Sequence, residues 1–302
     1  MSATPRDATT HAGFTVERGR TGSRLVVNGP WRPAIGEYMR RERIYELTLN
    51  YVCGWDGGGI GFLETLPFLT AFSIVGAIDD ISPVHALHEL RVLEIRTSAR
   101  TAIDFSCFPD LADAVIDWTK GSDSLFGCVS LRRLYLDRYR GGASAPFAGL
   151  VNLKSLSIVS SPLQEVVALG ELRNLTFLGL YYLSKLTSLR GIDRLTGLRR
   201  LDIQACRRLT SIAEVADLRQ LQWLFLTDDG RIASLKPIVG LADLEFVIFC
   251  GTTIIDDGDM SPLNTLPRLR STAFMNRRHY SHRHEDFPRG LKPDWDERPD
   301  EF

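Results

Sequence analysis

LQWLFLTDD, residues 221–229, sets large apolar residues side by side in an order that an extended backbone sorts out. In a strand successive side chains point to opposite faces, so Leu224 and Leu226 share one face while Trp223 and Phe225 share the other. The leucine face is a core. The opposite face presents a tryptophan and a phenylalanine, and their purpose is the functional question.

Working outward from that stretch, the pattern LxxLxL recurs as LKSLSI from Leu153, LTFLGL from Leu175, LRRLDI from Leu198 and LQWLFL from Leu221. Looser copies begin at Ile44, Leu69, Leu90, Leu111, Leu131, Leu244 and Leu269, which makes eleven rungs. Successive starts lie 20 to 25 residues apart, so almost no chain is left for a separate domain. Between strands the apolar period changes to three: Leu209, Ile212, Val215 and Leu218 follow one rung, and Ile232, Leu235, Ile238 and Leu241 the next. That spacing predicts 3₁₀ or extended return segments, because an α-helix would alternate three and four. One such unit cannot bury its leucines; stacked units form a continuous apolar column.

These residues resemble the leucine-rich repeat superfamily, and the spacing is most similar to its short-repeat, internalin-like bacterial branch. The resemblance implies an α/β fold: a right-handed horseshoe solenoid with a concave parallel β-sheet and 3₁₀ or short-helical convex return segments. The family usually carries Asn or Cys at the ninth position of the repeat, where the side chain bonds the turn backbone. Here that column reads Ser98, Thr119, Ser161, Cys206 and Thr252, with Tyr139 and Leu183 as departures. The expected organisation is a disordered tail over 1–13 and an N-terminal cap over 14–43, made of a hairpin around GRTGS and a short amphipathic helix. The repeat domain then occupies 44–276, and a polar closing segment and tail occupies 277–302.

Composition narrows the function classes. With 44% hydrophobic and 24% charged residues the chain can build an extended core, and 36 basic against 37 acidic residues leave no basic field for nucleic acid or an anionic membrane. The N-terminal residues lack a signal-peptide pattern and no apolar run approaches ~18 residues, so the expectation is a cytoplasmic protein, monomeric on its own. Five scattered cysteines without a CxxC pair read as free thiols, with Cys206 buried at its turn.

Three other patterns invite chemistry. GWDGGGIG, 54–61, lacks the GK[ST] ending of a phosphate loop and reads as an inter-rung loop. His279, His282 and His284 could offer nitrogens to zinc or nickel, but sit in a polar segment with no neighbours to fix their ring orientations, so neither a metal nor any other cofactor is expected. His85 and His88 read as the surface of a return segment. The carboxylates of IDDIS (78–82) and TIIDDGDMSP (253–262) read as turn caps, lacking calcium-loop order. No nucleophile elbow is present.

Numbering each rung from its first leucine, positions 4 and 6 point inward and positions 3, 5 and 7 point to the concave surface. Position 3 runs Arg133, Ser155, Phe177, Arg200, Trp223, Phe246; position 5 runs Tyr135, Ser157, Gly179, Asp202, Phe225, Ile248; position 7 adds Asp137 and Tyr181. Aromatics gathered on adjacent rungs with a charged rim read as an exposed patch for a protein partner. The candidate partner-binding residues are Arg133, Tyr135, Asp137, Phe177, Tyr181, Arg200, Asp202, Trp223, Phe225 and Phe246. On this reading the chain is a non-catalytic protein-binding module, an immunity or regulatory factor being one attractive role. The alternatives are an enzyme or enzyme subunit whose solenoid presents substrate, and metal-dependent adhesion through the histidines.

Overall fold

A computed structural model of the chain describes residues 8–288, which fall into two compact units divided between Leu131 and Arg132. In the first unit β1 (Thr9–His11), β2 (Phe14–Arg18) and β3 (Ser23–Val27) form an antiparallel meander. Helix α1 (Pro33–Glu42) follows, with proline in its first turn and Ile35 and Met39 buried one turn apart. Arg43, at φ 55°, ends it in the left-handed conformation. From there the pairing is parallel: β4 (Glu46–Asn50) lies against β3, and β5 (Ala71–Gly76), β6 (Val92–Thr97) and β7 (Asp113–Asp117) add in chain order.

The assignment of residues 1–13 to a disordered tail is corrected by β1, which pairs Thr9 with Val16 and His11 with Phe14. Aromatic packing pins this short strand: the His11 ring stacks on Phe14 at 4.7 Å, and Tyr38 of α1 lies 5.1 Å from His11 and 4.9 Å from Phe14. Residues 1–7 lie outside the described residues.

The second unit carries β8 (Arg133–Asp137), β9 (Ser155–Val159), β10 (Phe177–Tyr181), β11 (Arg200–Gln204), β12 (Trp223–Thr227), β13 (Arg231–Ile232), β14 (Phe246–Cys250), β15 (Ile254–Ile255) and β16 (Ser271–Phe274). All except β13 and β15 run parallel in one sheet, and those two form a small parallel pair of their own beyond the strand ends. Register is one rung to one rung, so Leu178, Leu201, Leu224 and Val247 stand in line, each with no measurable exposure. Each of the eleven rung starts lies two residues before a strand of these sheets. Both units are leucine-rich repeat solenoids: parallel strands on one side, short 3₁₀ returns on the other.

The period of three has a hydrogen-bond basis. Val215 N–H donates to the Ile212 carbonyl at 3.0 Å, Leu218 to Val215 at 3.0 Å, and Leu221 to Leu218 at 2.9 Å. Successive three-residue turns thus bring every third side chain to the same inward face, and those are the apolar ones. The residue that leaves β8 to β12 and β14 is equally regular: Arg138, Ser160, Tyr182, Ala205, Asp228 and Gly251, all at the eighth position, have φ between 50° and 66°. In five of these six the N–H donates to the seventh-position carbonyl of the next rung, as Ala205 does to Thr227 at 2.8 Å.

At the far end the segment expected as a polar closing turn and tail contributes packing through residues 284–288. His284–Asp286 form a 3₁₀ turn, and Phe287 is buried with its ring 6.0 Å from Phe274 and 5.6 Å from His282. Thr272 N–H donates to the Pro288 carbonyl at 3.3 Å. The last strand leaves an apolar end that Phe274, stacked on Phe249 at 4.8 Å, cannot cover alone. Phe287→Ala is therefore expected to destabilise the protein by about 3 kcal/mol, read as a shift in denaturant midpoint. Residues 289–302 lie outside the described residues.

Candidate functional site

On the outward face of the second unit the sheet register sets Arg200 beside Phe177 on one side and Trp223 on the other, with Phe246 next in line. Arg200 grips Asp202, two residues along β11, through Nε to Oδ1 at 3.0 Å and Nη2 to Oδ2 at 2.7 Å. Its guanidinium lies over the rings of Phe225, Trp223 and Phe177 at 5.0, 5.2 and 5.5 Å. Trp223 meets Phe225 edge-on at 5.9 Å and Phe246 at 4.4 Å. Tyr181 donates its hydroxyl to Asp202 Oδ2 at 3.3 Å, and its ring occupies the space where a side chain at position 179 would begin, so that position is glycine.

This arrangement corrects the expectation of an exposed aromatic patch. Phe177, Phe225 and Phe246 are only 3%, 7% and 5% exposed, and Arg200 and Asp202 are buried with them. In-register parallel strands stand ~4.8 Å apart, close enough for side chains of one outward column to cover each other. Seven of the ten candidate residues therefore form one packed cluster, whose accessible members are the half-buried Trp223 and Tyr181. Arg133, Tyr135 and Asp137 are half-buried on β8, separated from β10 by the strand bearing the small buried Ser155 and Ser157. Beside the cluster a cleft of about 230 Å³ opens at the N-terminal end of β10 and β12, between Phe177 and Trp223.

Asp229 lies outside the ten candidate residues. It is fully buried at the ninth position of its rung, where it accepts from Cys206 N–H at 2.8 Å, while its own N–H donates to Thr253 Oγ1 at 3.1 Å. Thr253 Oγ1 in turn donates to the Leu226 carbonyl at 3.0 Å. Thr253, and not the exposed Thr252, thus occupies the column; a one-residue offset in that rung shifts it. Burial raises the Asp229 carboxyl to about 7, against the lowering effect of the Cys206 N–H. The ninth-position spacing alone, 221 to 229, would have found it.

In the first unit the outward face meets the hairpin turn. Glu46, buried, accepts from Arg20 N–H at 2.9 Å and from Thr21 N–H and hydroxyl at 2.6 Å, and Arg20 Nη1 reaches Asp113 Oδ2 at 3.1 Å.

The remaining sequence motifs resolve into turns. Trp55 of the glycine-rich stretch is buried against Gly76. Asp80 and Asp259 accept from the backbone N–H of Ser82 and Ser261, and hydrogen bonds to these serines hold both carboxyls below the usual range. His85 Nε2 accepts from Asp104 N–H at 2.9 Å. His279 and His284 turn Nε2 to the carbonyls of Ile255 and Thr272 at 3.0 and 2.9 Å. Among the described residues no three His, Cys, Asp or Glu converge to hold a metal ion, and no helix is long and apolar enough to cross a membrane.

All five cysteines are free; Cys53 is exposed, whereas burial pushes Cys128 up to about 11 and Cys206 to about 12. In a native thiol titration at pH 8, Cys53 is expected to react first and Cys206 only on unfolding. Mass mapping of the labelled peptides checks the order.

No family model matches the chain. The disease resistance protein UNI of Arabidopsis thaliana is 34% identical over 92 residues, which make up 29% of this chain and 10% of that protein. Among solved structures, the internalin InlF of Listeria monocytogenes superposes with a TM-score of 0.62 at 23% identity, covering 76% of this chain and 66% of that chain. Internalin C2 of the same organism gives 0.52 at 19% identity, over 60% and 81%. The Arabidopsis receptor kinase HAESA, solved with the peptide hormone IDA and the co-receptor SERK1, gives 0.55 at 17% identity, over 78% and 46%. The chain thus spans just under two thirds of InlF and a small part of the plant resistance protein. The repeating rungs, the parallel strands with 3₁₀ returns and these neighbours together make the chain, by fold, a leucine-rich repeat protein.

Proposed function

We propose that the chain is a non-catalytic binding module that holds a protein partner on the outward sheet face of the second unit. The observation that carries this reading is Trp223: half-buried, fixed against Phe225 and Phe246, and facing an open cleft. A tryptophan whose rotamer is already locked binds without further loss of side-chain freedom, and Trp, Tyr and Arg are the residue types that dominate binding energy. Tyr181, Tyr135, Arg133 and Asp137 extend the face with half-exposed polar groups. The peptide-bound HAESA complex supports the reading by showing a peptide ligand on a related fold. A cytoplasmic setting, supported by five unpaired thiols, and a role in immunity or regulation of the partner belong to the same proposal.

The test is capture of a partner from a lysate of the source cell, followed by affinity measurement with the purified partner. Trp223→Ala is expected to weaken that complex by about 2 kcal/mol or more, roughly thirty-fold in Kd. Arg219→Ala, exposed on a return segment, should leave it unchanged. Because Trp223 also covers Arg200, the melting temperature is recorded alongside; a folded Trp223→Ala protein with undiminished affinity refutes the site.

A further inference from the structure

The cleft beside Trp223 has a chemistry of its own. Its volume, about 230 Å³, falls below the roughly 300 Å³ at which small-molecule pockets begin. It suits one large side chain. Phe177 and Trp223 are its walls, and Arg200 lies between them with its guanidinium committed to Asp202. The buried surface on offer is therefore apolar and aromatic, with the Arg200 charge matched by Asp202.

The mouth differs. Lys154 and Arg199, at the second positions of their rungs, are exposed, and among the described residues neither side chain makes an ion pair or hydrogen bond. Thr176 between them turns its hydroxyl to the Lys154 carbonyl at 3.1 Å, which leaves the gap open. Farther along the same edge the matching position is neutralised, Arg270 pairing with Glu245 at 3.1 Å. Two strand steps place the Lys154 and Arg199 backbones ~10 Å apart. In an extended peptide the residues two to either side of a central one share its face and lie ~14 Å apart, a difference that two long flexible stems close.

We infer that this cleft receives a single large apolar side chain from an extended peptide segment that carries a carboxylate two residues to each side of it. The inference rests on the reading of this face as a protein-binding surface and names the class of segment it takes. A cationic segment would meet Lys154 and Arg199 with like charge. Single-stranded nucleic acid would need open ring faces for stacking, whereas Trp223 is packed against Phe246 and Arg200.

The test uses the full chain and three acetylated, amidated peptides in a Gly-Ser frame, centred on Asp-Ser-Phe-Ser-Asp, Lys-Ser-Phe-Ser-Lys and Asp-Ser-Ala-Ser-Asp and named by their alternate residues as Asp-Phe-Asp, Lys-Phe-Lys and Asp-Ala-Asp, with a thymidine dodecanucleotide as a fourth probe. Binding is read from the indole N–H resonance of Trp223, assigned among the five tryptophans by substitution. The Asp-Phe-Asp peptide is expected to shift it saturably, with a Kd at least ten-fold below the other three. The Lys154→Glu/Arg199→Glu protein, altered only at exposed positions, should lose at least ten-fold of that affinity with its remaining spectrum unchanged. The inference is overturned if Asp-Phe-Asp gives no saturable shift, or if charge reversal leaves its affinity intact. Equal or tighter binding of Lys-Phe-Lys overturns the carboxylate class while leaving the face a binding surface, and equal binding of the oligonucleotide overturns the peptide class. No peptide shift combined with Trp223-dependent capture of a native partner refutes the cleft alone.

Discussion

Arg200→Ala is expected to destabilise the protein by about 3–5 kcal/mol, the range for removing one partner from a buried ion pair. The substitution strips Asp202 of two charge-assisted hydrogen bonds while the carboxylate stays 8% exposed, and it removes the plane that separates Phe177 from Trp223 and Phe225. Asp202→Ala should be nearly as damaging, since it leaves a guanidinium among three aromatic rings. Replacing both, Arg200→Met with Asp202→Leu, should recover most of the loss, because two apolar groups carry no desolvation penalty. Urea midpoints of the four proteins decide the matter. A cost below 1 kcal/mol for Arg200→Ala would mean that the pair is solvated and the face open.

The second large effect is a pH dependence. The Asp229 carboxyl rises from 3.8 to about 7 in the folded protein, so between those values the native state holds a proton that the unfolded chain has released. Stability from this group is fully present below 3.8 and is lost as pH rises through about 7. An interval of about three units corresponds to roughly 4 kcal/mol at ~1.4 kcal/mol per unit. Asp229→Asn keeps an acceptor for the Cys206 N–H and cannot ionise. It is expected to match the wild type at pH 4 and to exceed it in denaturant midpoint at pH 8. Parallel curves for the two proteins across that window would show that Asp229 does not titrate there.

The leucine columns were legible because two periods, two in the strand and three in the return, are written directly in residues such as Leu224, Leu226, Val215 and Leu218. The direction of Trp223 and Phe225 was legible for the same reason. Their burial was not. Strand alternation says which way a side chain points, whereas cover for Phe225 comes from Arg200, one rung away, and that requires reading across rungs. Asp229 stands at the ninth position, where the column of Ser, Thr and Cys residues gives an acid no precedent. Thr9–His11 and Phe287 escaped because each is a short contact with no repeat to announce it.

The left-handed residue that closes β8, β9, β10, β11, β12 and β14 is Arg, Ser, Tyr, Ala, Asp and Gly in turn. A backbone state that costs a non-glycine residue ~1–2 kcal/mol is accepted there with no shared side-chain chemistry. The stacked neighbours, and not the local sequence, enforce the bend. These six rungs therefore leave their strands in the same conformation whatever residue stands there, and a segment such as 175–197 has interchangeable junctions on both sides. Unequal recombination within the gene could then add or remove whole rungs without creating a misfit seam, so that the width of the sheet is free to evolve by single 22- or 23-residue steps.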